Sequence, residues 1–86
     1  MTHNSVWQAI EDLAADRNMS CSGLARCSGL DPTIFNKSKR WTRTGKPRWP
    51  STQSLAKVLE CADADIEEFA RYVTRAEKSH AQQNRA

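Results

Sequence analysis

SGLARCSGLDPTIFNKSKR, residues Ser22 to Arg40, reads as two short helices separated by a tight turn. Leu24 and Ala25 lie in the first helix, which Gly29 stops. Asp31 followed by Pro32 restarts helical structure, an N-cap oxygen ahead of a proline at the first helical position. From Pro32 to Arg40, residues Ile34, Phe35 and Ser38 fall on one side of such a helix. Thr33, Asn36, Lys37 and Arg40 fall on the other, at i, i+3, i+4, i+7 spacing. The pattern predicts a helix that buries Ile34 and Phe35 and presents Thr, Asn, Lys and Arg, side chains able to hydrogen-bond base edges.

Two crossing helices with a polar outer stripe are the elements of a helix-turn-helix. Ala25 and Gly29 stand four residues apart, where helices crossing near a right angle need a small side chain and a permissive turn. Leu30 supplies an apolar plug between them. The competing reading is an ordinary helical hairpin whose outer face is solvated surface. Charge separates the two readings.

The chain has 86 residues and a net charge of +3, unevenly placed. Residues 37–48 hold Lys37, Lys39, Arg40, Arg43, Lys46 and Arg48 and no acid, whereas elsewhere seven basic residues face ten acidic ones. The positive field is therefore local and follows directly on the polar stripe, as expected for a polyanionic partner. A chain of this length buries about 60–65% of its unfolded surface, enough for one core and too little for a deep catalytic cleft. No nucleophile–base pair, metal cluster or phosphate loop stands in the sequence, and His3 and His80 read as solvated, so no enzymatic activity is expected.

Cys21, Cys27 and Cys61 form no CxxC, and His3 and His80 lie near opposite ends. The spacing speaks against a zinc site, and no metal or cofactor is expected. Reduced, partly buried thiols in a cytosolic protein are the expectation. No apolar run reaches the roughly 20 residues of a membrane span, and there is no signal-peptide core. The expectation is a soluble, cytoplasmic protein without membrane contact.

Taken in order, Asn4 or Ser5 caps a first helix, Val6–Arg17, with Val6, Ile10, Leu13 and Ala14 inward and Trp7 beside them. Ser20 caps the second helix, Cys21–Ser28. The third is Pro32–Arg40. Residues 41–50, WTRTGKPRWP, form a loop with a turn at Thr44-Gly45. Trp41 and Trp49 bracket it and are expected to pin it to the body, leaving Arg43, Lys46 and Arg48 facing outward. Ser51 caps a fourth helix, Thr52–Cys61. A fifth begins near Ile66, with Asp65 and Glu68 as a capping-box pair and Ile66, Phe69, Ala70 and Val73 as its apolar stripe, flanked by Tyr72. Residues 1–76 read as the domain and residues 77–86 as a flexible tail or linker.

This layout, an all-α compact five-helix domain, resembles the lambda-repressor-like (Cro- and XRE-type) helix-turn-helix family from Val6 to Val73. The likeness is carried by Leu24-Ala25, Gly29-Leu30 and Asp31–Arg40, and by the run Gly45-Lys46-Pro47-Arg48-Trp49-Pro50-Ser51-Thr52. That second run is similar to the N-terminal domains of phage-type repressors that continue into a LexA-like peptidase domain. The resemblance implies transcriptional repression, double-stranded DNA as partner, and a homodimer on an inverted-repeat operator. By position it implies base contacts from Thr33, Asn36, Lys37 and Arg40, and backbone contacts from Ser22, Lys39, Arg43, Lys46 and Arg48. No catalytic serine–lysine pair can be assigned, so no peptidase activity follows. The alternative is a protein-interaction module of antitoxin or sigma-factor-partner type, using the apolar and acidic face around Glu67 and Glu68.

Overall fold

Helix starts follow their capping residues. In the computed structural model α1 spans His3–Asp16, α2 Cys21–Cys27, α3 Thr52–Cys61 and α4 Ile66–Gln83. The structure describes residues 1–83, with side chains through Ser79. Ser20 and Ser51 cap α2 and α3 by accepting from the amides of Gly23 and Ser54, and Asp65 accepts from Glu68 at the start of α4. The first helix begins earlier than its apolar pattern implies. Thr2 is its N-cap in a reciprocal capping box with Ser5, which satisfies two orphan amides at once.

Three helix ends share one device. Asn18, Gly29 and Asp63 take positive φ of 58°, 73° and 52°. After each, the next residue's amide reaches back to the helix: Met19 to the Ala14 carbonyl, Leu30 to Ala25 and Ala64 to Leu59. These are Schellman closures, which need a residue tolerant of the left-handed region.

The core is built on α1, which packs most extensively against α4 and also meets α2, while α2 meets α3. Ile10, Leu13, Leu24, Ala25 and Val58 lie fully inside, joined by Trp7, Phe35, Phe69, Tyr72 and Val73. The α1–α4 seam closes with polar contacts at its edge. Arg17 donates to the Ala62 carbonyl at 2.9 Å and to Glu68 at 2.6 Å, and the Tyr72 hydroxyl donates to Asp16. That bond to a carboxylate, with burial, holds the Tyr72 hydroxyl above its usual range.

The expected third helix is absent. Residues 32–35 form turns, Asn36 is extended with ψ 147°, and only Lys37–Lys39 make a single 3-10 turn. The amides of Ile34, Asn36, Lys39 and Arg40 all bond three residues back, to Asp31, Thr33, Asn36 and Lys37. Among the described residues there are thus four α-helices and a turn-built segment, not five helices, and α2 is not followed by the second helix of the expected motif.

Two physical reasons account for this. Thr33, Ile34, Phe35 and Asn36 are consecutive poor helix formers in a segment too short to offset the cost of nucleation. The Phe35 carbonyl, which the Lys39 amide would take in an α-helix, is instead taken by the Arg40 guanidinium at 3.1 Å. A tertiary contact has displaced a helical one.

The thiols also differ from expectation. Cys27 and Cys61, the last residues of α2 and α3, form a disulfide with Cα atoms 5.9 Å apart, and Cys21 is free and half-buried. At the other end, α4 runs on past Ala76 to Gln83, with Ala76 buried and Glu77 bonded to the N-terminal ammonium. The expected tail is helical through that point; residues 84–86 and the His80 side chain lie outside what is described. Among the described residues no helix is long and apolar enough to cross a membrane.

Candidate nucleic-acid interface

Asp31 organises the start of the segment between α2 and α3. Its carboxylate accepts from the Thr33 amide at 2.8 Å and the Thr33 hydroxyl at 2.6 Å, an Asx-turn. Those bonds favour the charged carboxylate and hold its pKa below the usual range. Phe35 then turns inward to meet Trp7 edge-on at 6.2 Å. With Phe35 fixed, Thr33, Asn36, Lys37, Ser38 and Lys39 are all exposed. Ser38 therefore leaves the apolar side on which helical spacing put it.

Arg40 goes the other way. Its side chain is only 12% exposed and donates to Glu11 at 2.9 Å while lying 5.0 Å over the Trp7 ring. Expected as a base contact, Arg40 instead ties the segment to α1, and the other three expected base-contact residues remain at the surface.

The loop after Arg40 is an ordered hairpin. Trp41 and Pro47 form an isolated antiparallel bridge, and the Thr42 amide bonds to the Lys46 carbonyl at 2.8 Å. Gly45 takes φ +84° at its tip, a conformation open to glycine. The Arg48 amide closes the base onto the Arg40 carbonyl at 2.8 Å.

His3 clasps that base, a role that charge and spacing did not reveal. Its Nε2 lies 2.8 Å from the Arg40 carbonyl and 3.1 Å from the Arg48 carbonyl. With two acceptors facing it, Nε2 carries a hydrogen. The Trp7 indole N–H, 3.1 Å from the same nitrogen, therefore donates to the Arg48 carbonyl, 3.0 Å away. The imidazole packs 4.7 Å from Trp41 and 5.8 Å from Trp49. The tryptophans do bracket the loop, but they stay 51% and 49% exposed and pin it through His3. The only sequence signal was the pair His3 and Trp7, one helical turn apart.

His3→Ala is expected to cost about 1–2 kcal/mol, from one hydrogen bond and the aromatic contacts, and to speed exchange of the Arg48 amide. An unchanged thermal midpoint with unchanged exchange at Arg48 would show that the hairpin closes without the clasp.

Lys37, Lys39, Arg43, Lys46 and Arg48 are all exposed, and among the described residues none of the five makes an ion pair. Thr33, Lys39 and Arg48 line a groove of about 400 Å³ together with Asp31, Trp7, Ile34, Phe35, Trp49 and Pro50. Lys37 borders a second recess of about 510 Å³ with His3, Arg40 and Trp41. Ser22 lines neither recess. It sits in the first turn of α2 with its hydroxyl 3.2 Å from that of Ser20. Among the described residues no cluster of His, Cys, Asp and Glu is placed to hold a metal. What the surface offers is a set of exposed cations beside two neutral hydrogen-bonding side chains, Thr33 and Asn36, with the charged Asp31 carboxylate in the same groove as Lys39 and Arg48. In comparisons with known proteins the chain matches no family model, no curated protein and no solved structure.

Proposed function

We propose that this domain binds double-stranded DNA in a sequence-dependent way and acts as a transcriptional regulator, a repressor of the lambda-repressor-like kind. One observation carries the reading: five exposed, unpaired cations within residues 37–48, on a hairpin and turn held in place from below. Lys39, Arg43, Lys46 and Arg48 neutralise phosphates and set the register. Asn36 pairs with adenine, the Thr33 methyl touches thymine and Lys37 reaches guanine. The reading element is the turn-built segment 31–39, seated against α1 through Phe35 and Trp7, in place of a recognition helix. Repression follows from occupying the operator, with two copies on an inverted repeat whose half-site centres lie about 10–10.5 base pairs, or a multiple, apart.

Salt titration with two variants tests this. If each of these four cations meets a phosphate, log K should fall against log salt with a slope of about −3 to −4 per chain. Arg43→Ala should reduce that slope by about one and weaken all duplexes alike. Asn36→Ala should cost about 1–3 kcal/mol at one base pair per half-site with the slope nearly intact. Identical behaviour of the two variants would defeat the division between reader and clamp. Absence of any effect would favour a protein-interaction module, for which Ile66, 60% exposed beside Glu67 at the start of α4, is the supporting feature.

A further inference from the structure

The disulfide encloses the candidate interface. Cys27 ends α2, Cys61 ends α3, and the 34-residue separation between them contains the whole of the turn-built segment and the basic hairpin. Cys27 is exposed and Cys61 half-buried. Over the pair lies an open recess of about 530 Å³, bordered by Ser28, Gly29, Lys57 and Glu60. A protein that works on DNA shares the reducing compartment of its substrate, where a lasting disulfide is rare and one that forms is usually transient and redox-sensing.

We propose that Cys27–Cys61 is a reversible thiol–disulfide exchange site, read by small thiols of the glutathione class, and that it sets the order of residues 28–60. The consequence for DNA binding rests on the function proposed above. A thiolate enters the recess, which Cys27 lines, and attacks the Cys27 Sγ. A new S–S bond forms there, the Cys27–Cys61 bond breaks, and Cys61 leaves as a thiolate beside the Lys57 ammonium and takes a proton from water. A second thiolate attacks the sulfur of the bound small thiol and releases Cys27 as a thiolate, which also takes a proton. Two thiols are oxidised to one disulfide, and the protein gains two cysteine thiols.

Segment 31–40 lacks i→i−4 bonds and keeps its shape through its anchors. Opening the covalent loop removes one of them, so DNA must then order the segment as it binds. Cys21 is the built-in control: burial pushes its thiol pKa up, and it takes no part in the exchange.

The test uses the full chain, oxidised in air or reduced with glutathione or dithiothreitol. Alkylation followed by mass measurement should label one cysteine in the oxidised protein and three in the reduced one. Amide exchange across residues 31–48 should speed by about tenfold or more on reduction, while the Ile10 and Leu13 amides of α1 keep their protection. Cys27→Ser should exchange like reduced protein in either condition, and Cys21→Ser should respond like the parent. Binding to a duplex selected by the protein should weaken about tenfold on reduction. Three labelled cysteines after oxidation, or equal exchange in the two states, overturns the site. Binding to no duplex in either state defeats the DNA reading alone, because labelling and exchange still decide whether the disulfide orders the segment.

Discussion

Phe35→Ala is expected to lower the free energy of unfolding by about 3–5 kcal/mol, the range for an aromatic side chain removed from a close-packed site. Phe35 is 2% exposed and meets Trp7 edge-on, and among residues 28–40 it is the one fully buried member of the core, with Leu30 and Ile34 packed partly against it. For a domain of this size that loss moves the thermal midpoint down by roughly 12 °C or more. The effect should not be uniform. Residues 31–39 have no helical ladder of their own, so without Phe35 they lose their hold on α1, while the α1–α4 seam of Leu13, Phe69 and Val73 remains packed. Calorimetry gives the midpoint, and backbone amide shifts show where order is lost. A drop of less than about 1 kcal/mol would mean that the segment is held by its polar contacts and that Phe35 merely fills space.

The elements legible in the sequence were those specified locally. Ser20, Ser51 and Asp65 each mark a helix start because capping needs only an oxygen and a nearby amide, and all three accept from the amide three residues on, though the Glu68 carboxylate, expected to complete a capping box with Asp65, bonds Arg17 instead. The apolar stripe Ile66, Phe69, Ala70 and Val73 found α4, though Ile66 and Ala70 turn out to be exposed and Tyr72 lies inside. The buried face, Phe69, Tyr72, Val73 and Ala76, is turned by roughly 60° from that stripe, a rotation that periodicity over a few turns does not resolve. Thr2 was missed as the cap of α1 because its capping box uses Ser5, which itself reads as a cap.

Pro32–Arg40 departs from its expected helix for a different reason. Asp31 and Pro32 carry a helix-start signal, and the Asp31 side chain does accept from Thr33. A start signal commits the chain to one turn only. Whether the helix continues is decided by competition for carbonyls, and here the competitor, Arg40, is directed by Glu11 on another helix. The disulfide was illegible for the same class of reason. Cys27 and Cys61 approach because α2 packs on α3, a tertiary fact absent from their spacing. Of the candidate site, charge density found the five cations, since a run without acids needs no fold to be positive. His3 escaped because the groups it binds are backbone carbonyls, which any residue could have supplied.

Arg40 is where the sequence reading and the structure give opposite experimental results. A base-contact residue, when truncated, costs affinity at one base pair and leaves the fold alone. Arg40 instead donates to Glu11 and to the Phe35 carbonyl and lies over Trp7. Charge-assisted hydrogen bonds contribute about 1.5–3 kcal/mol each, and a cation over an indole adds about 0.5–1 kcal/mol or more. Two features reduce the sum: Glu11 is 33% exposed and rehydrates when abandoned, and Arg40 Nε is buried without a protein partner. Arg40→Ala should therefore cost about 2–4 kcal/mol of stability, less than breaking a fully buried pair. Arg40→Lys should recover only part of it, since one ammonium does not reproduce the planar fork that spans Glu11 and the carbonyl. A double-mutant cycle with Glu11→Ala should return a coupling of about 1–2 kcal/mol. With its charge matched by Glu11, Arg40 adds nothing to phosphate neutralisation, so in DNA titrations at temperatures where Arg40→Ala stays folded the salt slope should hold within error. Sequence preference should be unchanged as well. A variant with an intact thermal midpoint and a relaxed preference at one base pair would return Arg40 to the groove and show that the Glu11 pair gives way when DNA is bound.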